Sequence, residues 1–353
     1  MLVGWLLLEL LLVIVSVGMI FPRLAIRVPR PLRFGRWRNP TPPRSRRKAV
    51  IEAAIGSLII GFVCTDWSGV RLAWQDSEIA TATAGKIASD RAKRIDDLVK
   101  PAIRSGEQIG IVVGVVDNGA TWTRGYGRSS AGCNQPPDGD SVFEIGSITK
   151  TFTCTALAQM CIKDRVHLND PVSNFFPDGV RIPSYKGQQI RLVDLATQTS
   201  GLPRVPDNMG LLSDFSGDPY AKYTPEEGFR FLKGYRLTRA PGAQYEYSNF
   251  GMGLLGLALS RQMDFSYEEM LKRQVCEPLG LNDTSITLSL SQKARLVPGY
   301  ALQSKVGWLM IAVPADSWTM QDAFAGAGAI RSTASDMLKY LQANIDPPST
   351  ELG

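Results

Sequence analysis

The stretch from Gln108 to Gly127 constrains this chain more than any other. Gln108 to Val116 is a β-branched, apolar run, Asn118-Gly119 is the dipeptide suited to positive φ at both centres of a type I′ turn, and Thr121 to Gly127 answers as the return strand. A hairpin alone is marginal in water, so the fold must supply strands beside it and helices on its face. Elsewhere the apolar residues recur at helical spacing. Helices are expected at Ile87 to Lys100, from Ser147 through Met160, and near Leu192 to Thr197, Thr224 to Leu232, Phe250 to Met263, Ser266 to Val275 and Thr333 to Asn344. Thr284 to Leu290 and Trp308 to Val313 are weaker strand candidates. Strands first and mostly helices after imply an α+β domain rather than alternating βαβ units.

The net charge of +6 over 353 residues is concentrated near the N-terminus: ten basic and no acidic residues lie between Arg23 and Lys48. The remainder is mildly acidic, and no basic patch interleaved with aromatics points to nucleic acid. Leu2 to Phe21 is apolar apart from Glu9, Ser16 and glycines, which is long enough to span a bilayer. A second apolar run ends at Cys64. We expect an anchor over 1–66, with spans at about 2–21 and 49–64 and an Arg-rich loop at 22–48, then a linker at 67–85 and a folded domain at 86–353. The positive-inside rule holds the Arg-rich loop in the cytoplasm and puts the domain outside the inner membrane, on the periplasmic or extracellular face. A secretory signal starting at Met19 and ending in the second run is the alternative, and it exports the domain equally. Oligomeric state is open.

Chemistry is concentrated in two short segments. Phe143-Glu144-Ile145-Gly146-Ser147-Ile148-Thr149-Lys150 runs into an apolar-periodic helix, so Ser147 falls at a helix N-terminus, where backbone N–H groups and the dipole stabilise developing negative charge. Lys150 stands three residues on, one turn along the same face, where an amine with a lowered pKa can take the hydroxyl proton. The second segment is Tyr247-Ser248-Asn249, just ahead of the helix beginning at Phe250. A tyrosine there can relay a proton, and an amide can hold a substrate carbonyl. Each segment by itself reads more simply as a helix cap. A Ser-His-Asp triad would need the chain's one histidine, His167, which sits in a loop. No cluster has metal-ligand spacing, and no cofactor is implied. Cys154 and Cys161, seven apart on one helix, are too distant to bridge and read as core residues.

Taken together, in this order and spacing, the two segments resemble the first two motifs of class C β-lactamases and their relatives, the low-molecular-weight penicillin-binding proteins, D-Ala-D-Ala carboxypeptidases and related serine esterases. The resemblance extends to Gly125-Tyr126-Gly127, Asn169-Asp170-Pro171, Leu195 to Pro203, Glu277 to Leu281 and Gly326 to Thr333. It covers roughly Ile87 to Tyr340. It implies a β-lactamase/transpeptidase-like fold, an antiparallel sheet with helices. It also implies that Ser147 is the acylated nucleophile, that Lys150 and Tyr247 are its base pair, and that Asn249 holds the substrate's amide side chain. Substrates in such a family are β-lactams, peptidoglycan stem peptides or small esters. Two departures stand inside the pattern: Thr149 where Ser or Ala is usual, and Gln198 where His is common.

The resemblance also implies a third motif after Gly326 to Thr333: Lys or His, then a small residue, then Gly, on a strand. No such triplet follows. Arg104-Ser105-Gly106 is the nearest in composition, and it precedes the nucleophile. Two expectations follow. The chain is either a membrane-tethered serine hydrolase, or a truncated, inactive member that at most binds and lacks the C-terminal strands.

Overall fold

The computed structural model describes residues 79–106, 108–130, 133–209, 218–306 and 309–346, with the backbone alone over 301–314. The hairpin forms about its type I′ turn, Asn118 and Gly119 having φ of 50° and 79°. The folded unit begins at Ile79 rather than at 86. The tail of the expected linker is strand β1, Thr81–Gly85, and it is followed by helix α1, Ser89–Arg104. The hairpin strands are β2, Gly110–Asp117, and β3, Ala120–Gly127. Strand order is β1-β3-β2, antiparallel throughout, with Thr81 opposite Tyr126 and Ile111 opposite Tyr126 on the other side. The alternation of Thr and Ala in β1 is too polar to announce a strand, and what recruits it is the open edge of β3.

Each face of this sheet takes a helix. Arg124 and Tyr126 point to α1, where Asp96 Oδ1 accepts from Tyr126 Oη at 2.8 Å and from Arg124 at 2.9 Å, while Lys100 reaches the other oxygen at 3.0 Å. These bonds hold the Asp96 carboxyl down at about 2 against the opposing effect of burial. Arg104 ends α1 and Gly106 follows with φ of 73°, so Arg104-Ser105-Gly106 is a helix C-terminus. The opposite face meets helix α9, described below. Among the described residues no strand pairs with the outer edge of β2.

The helical part follows. Strand β4, Val142–Glu144, leads through a 3₁₀ turn, Gly146–Ile148, into α2, Thr149–Ile162. Next come a small hairpin of β5, Ser184–Tyr185, and β6, Gln188–Gln189, then α3, Leu192–Ala196, α4, Pro225–Gly234, and α5, Asn249–Met263. Helix α6, Tyr267–Leu271, continues as a π-turn over Lys272–Cys276. Thr284 to Leu290, which the sequence suggested as a strand, has a single bridge from Ser285 to Arg331 as its pairing among the described residues, and helix α7, Leu290–Ala294, starts at its end. Ser289 caps this short helix through a capping box with Gln292, a signal that outcompetes the β-branched residues before it. The Trp308 to Val313 candidate does form a strand, β8, Leu309–Ala315, against β7, Gly299–Val306. Last are α8, Asp322–Gly328, β9, Arg331–Thr333, and α9, Ala334–Ile345.

Helix α5 is the centre of the core, with almost every residue from Phe250 to Ser260 buried. Helix α8 crosses it at glycines: a Cβ on Gly253 would lie 2.0 Å from the Ala323 carbonyl oxygen, and one on Gly326 2.7 Å from that of Met252. Only glycine permits this approach, which delivers the C-terminal end of α8 to the start of α2. On the far side, Leu338 of α9 fills the space over Gly114 of β2. Between β2 and α9 runs an apolar groove of about 550 Å³, lined by Val112, Phe143, Ile148, Met337 and Leu341 among others. Among the described residues no helix is long and apolar enough to cross a membrane; the expected spans at 2–21 and 49–64 lie outside those residues.

Candidate active site

Strand β4 aims the Ser147 segment. It pairs with β9, Glu144 opposite Arg331, and Ile145 N–H then donates to Ile330 C=O at 3.1 Å, so the chain enters the 3₁₀ turn already fixed. Gly146 takes φ of 50°, and Ser147 emerges exposed at the head of α2. Thr149 is fully buried, and its Oγ1 accepts from Ile330 N–H at 3.2 Å. The hydroxyl thereby satisfies a backbone donor that would otherwise be orphaned. The hydroxyl that sets Thr149 apart from an alanine has this use, two residues from Ser147.

Lys150 lies in the first turn of α2 and is 8% exposed. Its Nζ donates to Ser147 Oγ at 3.0 Å and to the Ala327 carbonyl, at the end of α8, at 2.6 Å. Tyr247 Oη donates to the same Ser147 Oγ at 2.8 Å across 100 residues of sequence. Burial pushes the Lys150 amine below its ordinary value, the charge of Arg204 acts in the same direction, and the bond to Tyr247 opposes both. For the Tyr247 phenol, burial acts upward, but hydrogen bonds to Lys150 and Ser147 and the charges of Lys150 and Arg204 prevail and bring it below its usual value. The two groups converge on one hydroxyl and titrate as a coupled pair.

Tyr247 and Asn249 flank Ser248, which caps α5: Ser248 Oγ accepts from Gly251 N–H at 2.8 Å and donates to Pro203 C=O at 2.7 Å. Asn249 is the first residue of α5. Its amide meets Tyr220, and its Oδ1 is buried with no hydrogen-bond partner among the described residues. A buried acceptor left open in this way has hydrogen-bonding capacity to spare. The four residues singled out in the sequence are thus gathered at one point, three of them bonded and the fourth on the adjoining helix end.

Two residues that the sequence did not mark as parts of the site hold the Tyr247 segment in place. Gln198, at φ of 62°, accepts from Ser248 N–H with its side-chain Oε1 at 2.6 Å and from Glu246 N–H with its carbonyl at 2.7 Å, one bond on each side of Tyr247. Arg204 accepts from Asn249 N–H with its carbonyl at 3.0 Å and lays its guanidinium 5.1 Å from the Tyr247 ring centroid. The departure from histidine at Gln198 was the one available sign of the first, and nothing in residue spacing signalled the second.

Residues 95–352 match the family described as Beta-lactamase. The chain belongs to that family. Among its relatives, the D-alanyl-D-alanine-carboxypeptidase/endopeptidase AmpH of Escherichia coli K12 is 32% identical over 260 residues, covering 74% of this chain and 63% of its own length. A β-lactamase of Pseudomonas fluorescens is 28% identical over 269 residues, covering 75% of this chain and 67% of that one. Among solved structures, the β-lactamase/D-alanine carboxypeptidase of Yersinia pestis, complexed with citrate, superposes with a TM-score of 0.63 at 30% identity over 75% of this chain and 73% of its own. The fold is therefore the β-lactamase/transpeptidase-like one expected, and the chain spans just under two thirds of the AmpH relative's length.

Proposed function

We propose that this β-lactamase-family chain is a serine hydrolase that works through an acyl-serine intermediate on amides or esters of the β-lactam, peptidoglycan stem-peptide or small-ester kind. The observation that carries this is the Ser147 hydroxyl with Lys150 Nζ at 3.0 Å and Tyr247 Oη at 2.8 Å. In the reacting state one of these bonds reverses. Ser147 gives its proton to the Lys150–Tyr247 pair as Oγ bonds to the substrate carbonyl carbon. The pair then returns that proton to the leaving nitrogen or oxygen as its bond to the carbonyl carbon breaks. A water molecule, deprotonated by the same pair, attacks the acyl-enzyme, releases the acid and restores the Ser147 hydroxyl. The N–H of Ser147, at the helix start, is a donor for the oxyanion, an interaction worth about 3 kcal/mol in comparable sites. Asn249 would meet the substrate's amide. The names of the AmpH, Pseudomonas and Yersinia relatives support the β-lactam and D-alanyl-peptide classes.

Within the same proposal the domain is tethered to the inner membrane through residues 1–66 and works on its outer face, supported by the apolar and basic patterning there. A fluorescent penicillin and a fluorophosphonate, each incubated with membranes carrying the chain, test the chemistry. Both should label it at Ser147; Ser147→Ala should abolish labelling, and Lys150→Ala should slow it about 10²–10⁴-fold. Labelling that persists in Ser147→Ala refutes the assignment.

A further inference from the structure

The guanidinium of Arg204 takes part in none of the bond-making steps set out above, yet its position is specific. It lies 5.1 Å from the centroid of the Tyr247 ring, against which Lys150 Nζ also lies at 5.0 Å. The backbone of Arg204 is fixed independently of its side chain, since its carbonyl accepts from both Asn249 N–H at 3.0 Å and Phe250 N–H at 3.2 Å at the start of α5. The loop that brings it follows Gly201-Leu202-Pro203, with Leu202 fully buried and Pro203 C=O taking the Ser248 hydroxyl. The cation is thus carried to the ring by a segment already anchored on three bonds.

We propose that Arg204 is a positioning residue of the reaction: its guanidinium, laid on the ring of Tyr247, keeps the Lys150–Tyr247 pair short of protons and ready to take the one from Ser147. This rests on the proposed function for its consequence, though not for its test. Among the described residues the groups that face the pair are few. From the 3₁₀ turn there is the neutral Ser147 hydroxyl, from the loop after α3 the Arg204 cation, and from the segment ahead of α4 the Tyr220 phenol, itself held protonated chiefly by burial. Of these Arg204 alone carries charge, and a positive charge disfavours the protonated form of the amine and favours the ionised form of the phenol. Both members of the pair are moved the same way by the same group. Because the Arg204 side chain is exposed, its influence passes partly through water and is open to salt.

The test is a direct titration of Tyr247 in the full chain labelled with ¹³Cζ-tyrosine, its resonance identified by loss in Tyr247→Phe. Arg204→Gln should raise the midpoint by about 0.5 pH unit. Arg204→Lys should keep most of the wild-type value, since it returns a cation to the same place. In wild type, 1 M salt should move the midpoint towards that of Arg204→Gln, while the variant stays put. An unchanged midpoint in Arg204→Gln overturns the proposal, and so does an equal rise in Arg204→Lys and Arg204→Gln, which would mark a packing effect instead of charge. The salt titration needs no variant and decides the matter even if Arg204→Gln folds poorly; a salt-insensitive wild type overturns the proposal. In parallel, the pH profile for acylation by p-nitrophenyl acetate should move by the same interval. Absence of Ser147-dependent acylation in wild type counts against the proposed function and leaves the titration result standing.

Discussion

Replacing Gln198 tests whether the Tyr247 segment is held from outside. In Gln198→Ala the buried Ser248 N–H loses the acceptor now 2.6 Å away. Leaving such a donor unpaired costs about 1–3 kcal/mol, and at about 2 kcal/mol a domain of this size melts about 4–8 °C lower. Residue 198 also sits at φ of 62°, a region that costs a residue with a Cβ about 1–2 kcal/mol. Gln198→Gly loses the same hydrogen bond but relieves that strain, so it should melt above Gln198→Ala by roughly half of the loss. Gln198→Glu keeps an acceptor oxygen in place and should fall least. Differential scanning fluorimetry of the full chain reads the order wild type, Glu, Gly, Ala, and fluorophosphonate labelling of Ser147 should slow in the same order as Tyr247 loosens. A Gln198→Ala chain that melts with wild type, or a Gln198→Gly chain below Gln198→Ala, refutes this account of the contact.

Three further outcomes are expected. In the proposed reaction the Lys150–Tyr247 pair accepts a proton only in its base form, and both groups lie below their ordinary values, so acylation should rise with pH and reach its plateau earlier than an ordinary lysine and tyrosine would give; a rate that climbs through the ordinary lysine and tyrosine range contradicts the lowered pair. Asp96 titrates at about 2 in the fold against 3.8 unpaired, so its contribution, on the order of 2 kcal/mol, is present above that ordinary value and lost as pH falls through about 2. Urea midpoints of wild type and Asp96→Asn should therefore differ at pH 6 and converge toward pH 2, and a constant gap would argue against it. An alkaline phosphatase fusion after Asp90 should be active and one at Arg38 inactive, and activity at both junctions would overturn the proposed topology.

The hairpin and the long helices were legible because each is a local pattern: two β-branched runs around Asn118-Gly119, and apolar periodicity through α2, α5 and α9. Strand β4 was not, since three residues ahead of a motif carry no period, and its partner β9 lies at the far end of the domain. Strand β1 was hidden for a similar reason, its Thr-Ala alternation having meaning only beside β3. In the site, Ser147, Lys150, Tyr247 and Asn249 stood in two short segments, and it was their resemblance to a family pattern that marked them out. What Thr149 and Gln198 contribute could not be read: each was visible only as an odd residue in a familiar pattern, and its use is a hydrogen bond to a backbone N–H that the sequence does not place nearby.

The pairing of β4 with β9, and the bond from Lys150 to Ala327, have a consequence for synthesis. Lys150 waits for a carbonyl 177 residues downstream and Thr149 for a backbone donor 181 residues downstream. At about 5–20 residues per second a ribosome needs roughly 9–36 s to cover that interval. Throughout it Ser147 and Lys150 have emerged without the partners that arrange them, so a nascent chain carries the residues of the site long before it carries the site. The arrangement around Ser147 is thereby postponed until the segment through Ile330 has been translated, and contacts of such long range place its assembly among the slow steps of folding.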